Sequence, residues 1–107
     1  MKLYNLKNFK LGWIIGNFDP SIVRTSDFEI GIKRYKKGSY EKLHFHKQAI
    51  EITIIIVGKV LMNSKQFSEN DIIYIEKGET TDFKVIEDTI TAVIKIPSVL
   101  ADKYLVK

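Results

Sequence analysis

The sequence contains no cysteine among its 107 residues. A disulfide scaffold and a thiolate metal site are therefore both excluded, and any bound metal ion would need nitrogen and oxygen ligands. The absence of cysteine also fits a reducing compartment, and we expect a cytoplasmic protein. Hydrophobic residues make up 45% of the chain, which is typical of a globular protein, and the length predicts one domain over residues 1–107.

Long hydrophobic segments are also missing. The longest apolar run, from Ile52 to Val57, includes Thr53 and is far too short to span a membrane. The apolar run from Leu11 to Ile15 contains a glycine and is too short for a secretory signal. We therefore expect neither a membrane partner nor a cleaved leader.

The charge is modestly basic, with a formal net charge of +4. The densest basic cluster covers residues 33–37, where Tyr35 and the nearby Tyr40 could stack on nucleic-acid bases. The other lysines are scattered, and no nucleic-acid-binding motif is present. We interpret the cluster as a solvated strand end and predict no nucleic-acid partner.

Helical periodicity is scarce, and only the tail, Ser98–Lys107, is predicted to be helical. Elsewhere β-branched and aromatic residues alternate with closely spaced turn residues, which is typical of short strands. Many short strands with close turns indicate an all-β sandwich or barrel. The predicted strands are Gly12–Phe18, Phe28–Tyr35, Leu43–Phe45, Glu51–Val57, Lys59–Met62, Ile72–Ile75, Asp82–Ile86 and Thr89–Ile96.

The stretch Ile50–Val57, which includes one predicted strand, carries four isoleucines on a single face. Its opposite face begins with Glu51 and becomes apolar further along. We expect the isoleucine face to be a core surface, and the whole strand to lie between two layers or between a barrel and a partner subunit. The four isoleucines are Ile50, Ile52, Ile54 and Ile56.

The chain has only two histidines, His44 and His46. At positions i and i+2 of a strand both side chains leave the same face, about 6.5–7 Å apart. If the next strand pairs alongside, Glu51 can project from that face too. Two neutral imidazoles and one carboxylate form the facial triad of non-haem iron sites, and the set also suits Mn, Ni or Zn. The same pair could instead be two polar groups on a strand surface.

The residues around the histidines resemble the first sequence motif of the cupin superfamily. That motif separates Gly, His-x-His, Glu and Gly by five, four and six residues. Gly38, His44, His46, Glu51 and Gly58 occupy every position of it. The resemblance implies an antiparallel jelly-roll β-barrel with the His and Glu side chains in its mouth. It also implies an outer sheet that often packs in a homodimer, in agreement with the isoleucine face.

The second cupin motif is incomplete, although its spacing survives. Asn70 replaces its first glycine, which is compatible with the same turn because asparagine tolerates positive φ. Gly78 is kept, whereas Glu76 replaces the proline. Thr81 stands in place of the third histidine, and Val85 in place of the asparagine. The fourth metal ligand of the family is therefore missing, and a threonine hydroxyl is a poor substitute.

Three functions remain open, and the sequence does not decide whether the protein is an enzyme. His44, His46 and Glu51 could hold a divalent Fe, Mn, Ni or Zn ion for oxygenation or isomerisation of a small organic molecule, with Thr81 orienting a water. A metal-free barrel could instead bind or isomerise a sugar, such as a nucleotide-sugar, with the histidines as acid–base groups. The third possibility is a non-catalytic module that binds a small ligand.

Four further residues are predicted to contact the small-molecule ligand. Thr53 follows Glu51 on the same strand face, and Thr81 occupies the position of the missing histidine. Tyr40 lies beside the motif's first glycine, and Gln48 lies in the connection before Glu51.

Overall fold

The computed structural model describes residues 1–107, which form eight β-strands and two single turns of 3-10 helix. The turns cover Leu6–Asn8 and Lys10–Gly12. None of the helical segments could span a membrane. The strands are β1 (Trp13–Ile15), β2 (Glu29–Tyr35), β3 (Tyr40–Phe45), β4 (Ile50–Met62), β5 (Lys65–Ser68), β6 (Ile72–Ile75), β7 (Thr81–Ile96) and β8 (Tyr104–Leu105).

The two long strands, β4 and β7, pair antiparallel and form the centre of the sheet. The other edge of β7 pairs with β2 and then with β3. The other edge of β4 pairs with β6 and then with β5. β1 and β8 extend the sheet beside β2 and β3. This continuous antiparallel sheet confirms the predicted all-β jelly-roll class.

The sheet bends at Gly58, where the β4–β7 register shifts several times between Ile55 and Val60. Gly58 has a φ of +109°, and a Cβ added there would lie 2.3 Å from the Thr89 hydroxyl oxygen. Only glycine suits both the backbone angle and the close approach of the two strands. The last glycine of the first motif is therefore the residue at which β4 bends against β7.

The hydrophobic core lies on the face of β4 opposite the four-isoleucine face. Ile55 is 0% exposed, whereas Ile56 is 42% exposed. The prediction that the isoleucine face is a core surface is therefore wrong for a single chain. Both faces of this strand are apolar, so periodicity could not decide which one points inward. The buried core cluster consists of Ile55, Val60, Met62, Ile75, Phe83 and Val85.

The element boundaries differ from the predictions in several places. The predicted strand Gly12–Phe18 is shorter, at Trp13–Ile15, and the strand predicted from Leu43 begins at Tyr40. β4 and β7 are each continuous, although Gly58 and Glu87–Asp88 resemble turns in the sequence. β5 was not predicted; it pairs with β4 across a turn in which Asn63 and Ser64 both have positive φ. The tail is not helical, because Tyr104–Leu105 instead pairs with the free edge of β3.

Candidate functional site

A cavity of about 330 Å³ lies inside the barrel. Met62 and Phe83, two members of the core cluster, are part of its lining. The inward faces of β2, β3, β4 and β7 supply most of its other residues, together with Leu11 and Trp13 from the N-terminal segment. The cavity therefore joins the core to the end of the barrel where the first cupin-like motif lies.

The two histidines lie side by side in this cavity. His44 and His46 are both buried, with ring centroids 5.6 Å apart and ring planes at 80°. His46 lies just past the end of β3, and both side chains line the cavity, in agreement with the i, i+2 spacing. Thr81 pairs directly with His44 across β3 and β7 and also lines the cavity, so it lies beside the first histidine.

The hydrogen bond of His44 determines which of its ring nitrogens is free. Nδ1 lies 2.8 Å from the backbone carbonyl oxygen of Lys42. Because a carbonyl can only accept, Nδ1 donates, and in the neutral ring Nε2 therefore keeps its lone pair. Metal-binding histidines are oriented in the same way by a hydrogen bond at their second nitrogen.

The second histidine carries a nitrogen with no partner. Nε2 of His46 is buried and makes no hydrogen bond. Burial, and after it the charges of Lys95, His44 and Lys103, lower the pKa of His46 to about 4, and Asp102 opposes the shift. The imidazole is therefore neutral near pH 7, which is the form that binds a metal ion or accepts a hydrogen bond from a ligand.

Glu51 lines the same cavity as the histidines. Its Oε2 accepts a hydrogen bond of 2.9 Å from the buried Thr53 hydroxyl. No group of three or more His, Cys, Asp or Glu side chains is placed so that it could hold a metal ion. The two imidazole nitrogens are suitable ligands for a divalent cation. The Glu51 carboxylate is hydrogen-bonded to Thr53 and does not form a three-ligand cluster with them.

Two of the predicted ligand contacts lie outside the cavity. Tyr40 is 57% exposed and does not line it. The β3–β7 register shifts between Glu41 and His44, and such a bulge reverses the alternation, so Glu41 faces inward instead. Gln48 is also exposed and outside the lining. These corrections leave Thr53 and Thr81 as the predicted ligand contacts that the cavity includes.

Several cavity residues were not among the predicted ligand contacts. Tyr35 donates a 3.2 Å hydrogen bond to Glu41, and burial followed by the charge of Glu41 raises the pKa of the phenol. Lys33 also lines the cavity, so the interpretation of residues 33–37 as a solvated strand end is wrong for this residue. Continuing the inward alternation along β2 would have identified both Lys33 and Tyr35. The remaining unpredicted polar or aromatic lining residues include Trp13, Lys95, Thr91 and Lys103.

The connection between β3 and β4 is held by a carboxylate from the C-terminal segment. Asp102 is buried and accepts hydrogen bonds from the backbone N–H groups of Lys47, Gln48 and Ala49. This connection joins His46 to the strand that carries Glu51. The sequence offered no signal for Asp102, which is 53 to 55 residues away from its partners.

Comparison with known proteins shows the class of fold. No protein-family model and no curated protein matches the sequence. A double-stranded β-helix protein from Klebsiella pneumoniae superposes with a TM-score of 0.69 at 18% identity, covering 78% of this chain and 74% of that one. An RmlC-like cupin from Shewanella frigidimarina gives a TM-score of 0.66 at 12% identity, covering 71% of each chain. The chain therefore has the cupin fold.

A third similar structure is larger. It is the DMSP lyase DddQ from Ruegeria pomeroyi, with a TM-score of 0.72 at 16% identity, and the match covers 87% of this chain and 49% of that one. The chain thus spans about half the length of that relative. At these identities the similarity is one of fold.

Proposed function

We propose that the protein binds a divalent Fe, Mn, Ni or Zn ion through His44, His46 and Glu51, and uses it to bind a small organic molecule in the cavity. The observation that carries this proposal is the buried, unpartnered Nε2 of His46 beside a histidine whose own Nε2 is free. Orphaned buried polar atoms are rare in folded proteins and call for an explanation. A cation between the two rings would give Nε2 of His46 its missing partner and could also bind Nε2 of His44.

The remaining polar groups of the cavity would position the substrate. When bound, the ion would act as a Lewis acid that polarises a substrate oxygen. Thr81 would present its hydroxyl beside His44, and the Glu51 carboxylate would turn from its hydrogen bond with Thr53 toward the ion. Tyr35 would keep its proton and remain a hydrogen-bond donor at neutral pH, because its pKa is raised. Oxygenation and isomerisation of a small molecule are the reactions we propose for such a site.

A metal-free function is the second candidate, and one observation favours it. As placed, Glu51 bonds Thr53 rather than completing a three-ligand cluster with the histidines. In that case the neutral His46 would act as the general base toward a bound sugar, and the metal would have no role.

Metal content separates the two candidates. Elemental analysis of protein purified without a tag or chelator should find close to one metal ion per chain. Added metal at about 100 times its dissociation constant should raise the melting temperature by about 10 °C. The His44→Ala/His46→Ala double variant should lose both effects, and the Tyr40→Ala/Gln48→Ala variant, altered only outside the cavity, should keep them. If the purified protein contains no metal, and added Mn²⁺, Fe²⁺, Ni²⁺ or Zn²⁺ does not change its melting temperature, the metal site is refuted. The metal-free function is then the remaining candidate.

A further inference from the structure

Three lysines line the cavity together with the histidines: Lys33, Lys95 and Lys103. Lys95 lies opposite Glu51 on the neighbouring strand, and Lys33 comes from the inward face of β2. Burial lowers the pKa of Lys33, Glu41 opposes the shift, and Lys95 and Lys103 lower the pKa further. Two carboxylates, Glu41 and Glu51, line the same cavity. The three lysines outnumber them, so a partly desolvated space keeps an excess of positive charge that an added anion would offset.

Two of these ammonium groups have no carboxylate partner. The only ion pairs within 4.0 Å in the chain are Lys59–Glu87 and Lys103–Glu41. Lys33 donates instead to the backbone carbonyl of Leu11, at 2.6 Å. A lysine ammonium has three donors, so this single bond leaves donors on Lys33 that can face the cavity.

A tryptophan holds the two unpaired lysines in place. The ammonium groups of Lys33 and Lys95 each lie 5.1 Å from the centroid of the Trp13 ring. Trp13 packs over Gly31, where an added Cβ would lie 2.7 Å from the indole. The glycine thus leaves room for the ring at the cavity wall. Cation–π contact stabilises an ammonium group without consuming its hydrogen-bond donors, so both lysines remain able to bind an anion.

We propose that the molecule bound in this cavity carries a carboxylate, which Lys33 and Lys95 bind beside the Trp13 ring. This inference rests on the proposed function in that it names the substrate class of the same cavity. A lysine is a compact point charge that suits a single carboxylate oxygen. The cavity, at about 330 Å³, is at the lower end of the range for small-molecule sites, which favours a small organic acid over a nucleotide-sugar.

Calorimetric titration with malonate, succinate and glutarate tests the proposal, using both metal-free and Mn²⁺-loaded protein. Trp13 is the only tryptophan, so its fluorescence gives an independent readout of binding at this wall. At least one dicarboxylate should bind with a sub-millimolar dissociation constant and change the fluorescence. In the Lys33→Gln/Lys95→Gln variant that constant should rise about tenfold or more, since charge-assisted hydrogen bonds are lost. Lys84→Gln, an exposed lysine on β7 outside the cavity, should stay within about twofold of the wild type.

Four results would overturn the carboxylate assignment. The first two are that no dicarboxylate binds, or that the neutral succinamide binds as tightly as succinate. The other two are that only inorganic phosphate binds, or that the Lys33→Gln/Lys95→Gln variant binds the dicarboxylate as tightly as the wild type. Metal content measured on the same samples separates this failure from that of the proposed function. Lysine-dependent carboxylate binding by a protein that takes up no metal would sustain this inference and refute the metal site.

Discussion

At the residue scale, the buried nitrogen of His46 has a cost that packing alone does not explain. An unsatisfied buried polar atom destabilises a fold by about 1–3 kcal/mol, and Nε2 of His46 is such an atom. Protonation offers no remedy, because burial and the nearby Lys95 disfavour the charged ring. A bound cation, or a donor group on a ligand, would remove the cost. The unpartnered nitrogen therefore supports a ligand-binding role for the histidine pair independently of the motif match.

The lowered pKa of His46 should make the stability of the metal-free protein depend on pH in the acid range. Its pKa is about 4 in the folded state and near 6.5 in an unfolded chain. Between these values the unfolded state binds more protons, so stability falls as the pH falls from about 6.5 to 4. Denaturant unfolding should show a loss of up to about 3 kcal/mol over that window from this group, less where solvent screens the ring. His46→Gln should flatten the slope, and an equal slope in the variant would contradict the assignment.

Individual site residues could be predicted only where the strand alternation is regular. His44, His46, Thr53 and Thr81 lie in the cavity as expected. The alternation is interrupted between Glu41 and His44, where a bulge in β3 leaves Tyr40 pointing outward. No residue in that segment marks the bulge, because it depends on how β3 pairs with β7.

At the scale of elements, the C-terminal segment fastens the histidine-bearing strand. β8 pairs with β3 at His44 and Phe45, and the Tyr104 ring stacks on Phe45 with centroids 5.6 Å apart. Asp102 adds the hydrogen bonds to the β3–β4 connection. A carboxylate that accepts several backbone N–H groups holds a connection more firmly than neutral partners would. The segment therefore helps to set the shape of the site, and its Lys103 also lines the cavity.

Removing the Asp102 carboxylate should loosen the site as well as the fold. In Asp102→Ala, three backbone donors lose their partner, and we expect a loss of about 2–4 kcal/mol in unfolding free energy. We also expect the dissociation constant for Mn²⁺ to rise about tenfold, because His46 is no longer positioned. The matched control is Asp27→Ala, an exposed carboxylate. A destabilised variant with unchanged metal affinity would show that Asp102 has only a structural role.

Elements were predictable in type but not in extent. Because Gly58 and Glu87–Asp88 are typical turn residues, the sequence predicted two short strands on either side of each. In the structure, the pairing between β4 and β7 continues past both. The tail had weak local preferences, and its conformation is set by the unpaired edge of β3. Such tertiary effects override local propensity and are not visible in a single segment.

At the scale of the whole molecule, the outer face of the sheet is strongly apolar. Two cross-strand rows run over β2, β7, β4 and β6, and none of their residues is fully buried in the single chain. Contiguous apolar surfaces of this kind mark interaction sites. We propose that a second copy of the chain covers this face. The rows are Ile30, Ile94, Ile52 and Tyr74, and Ile32, Ala92, Ile54 and Ile72.

Light scattering checks this assembly. At micromolar concentration the mass should be twice the 12.4 kDa of the chain. Ile72→Glu should return it to 12.4 kDa without unfolding the protein, because Ile72 is already 67% exposed. Val23→Glu is the control, an exposed apolar residue outside the two rows. A wild-type protein that stays monomeric would contradict the proposal.

The overall fold was predictable because the motif spacing and the turn pattern agree with each other. Gly38, Glu51 and Gly58 occur at the intervals that a cupin-like barrel needs, and the structure has that fold. The direction of the isoleucine face was not predictable, because a strand that is apolar on both sides does not reveal which side meets the core.

The most direct test of the metal site is anomalous diffraction from crystals grown with Mn²⁺ or Zn²⁺ and measured at the absorption edge of that metal. The proposed function predicts one strong anomalous peak per chain within bonding distance of Nε2 of His44 and Nε2 of His46, with the Glu51 carboxylate turned from Thr53 toward it. A cavity with no peak, or a peak bound only at the protein surface, would contradict it.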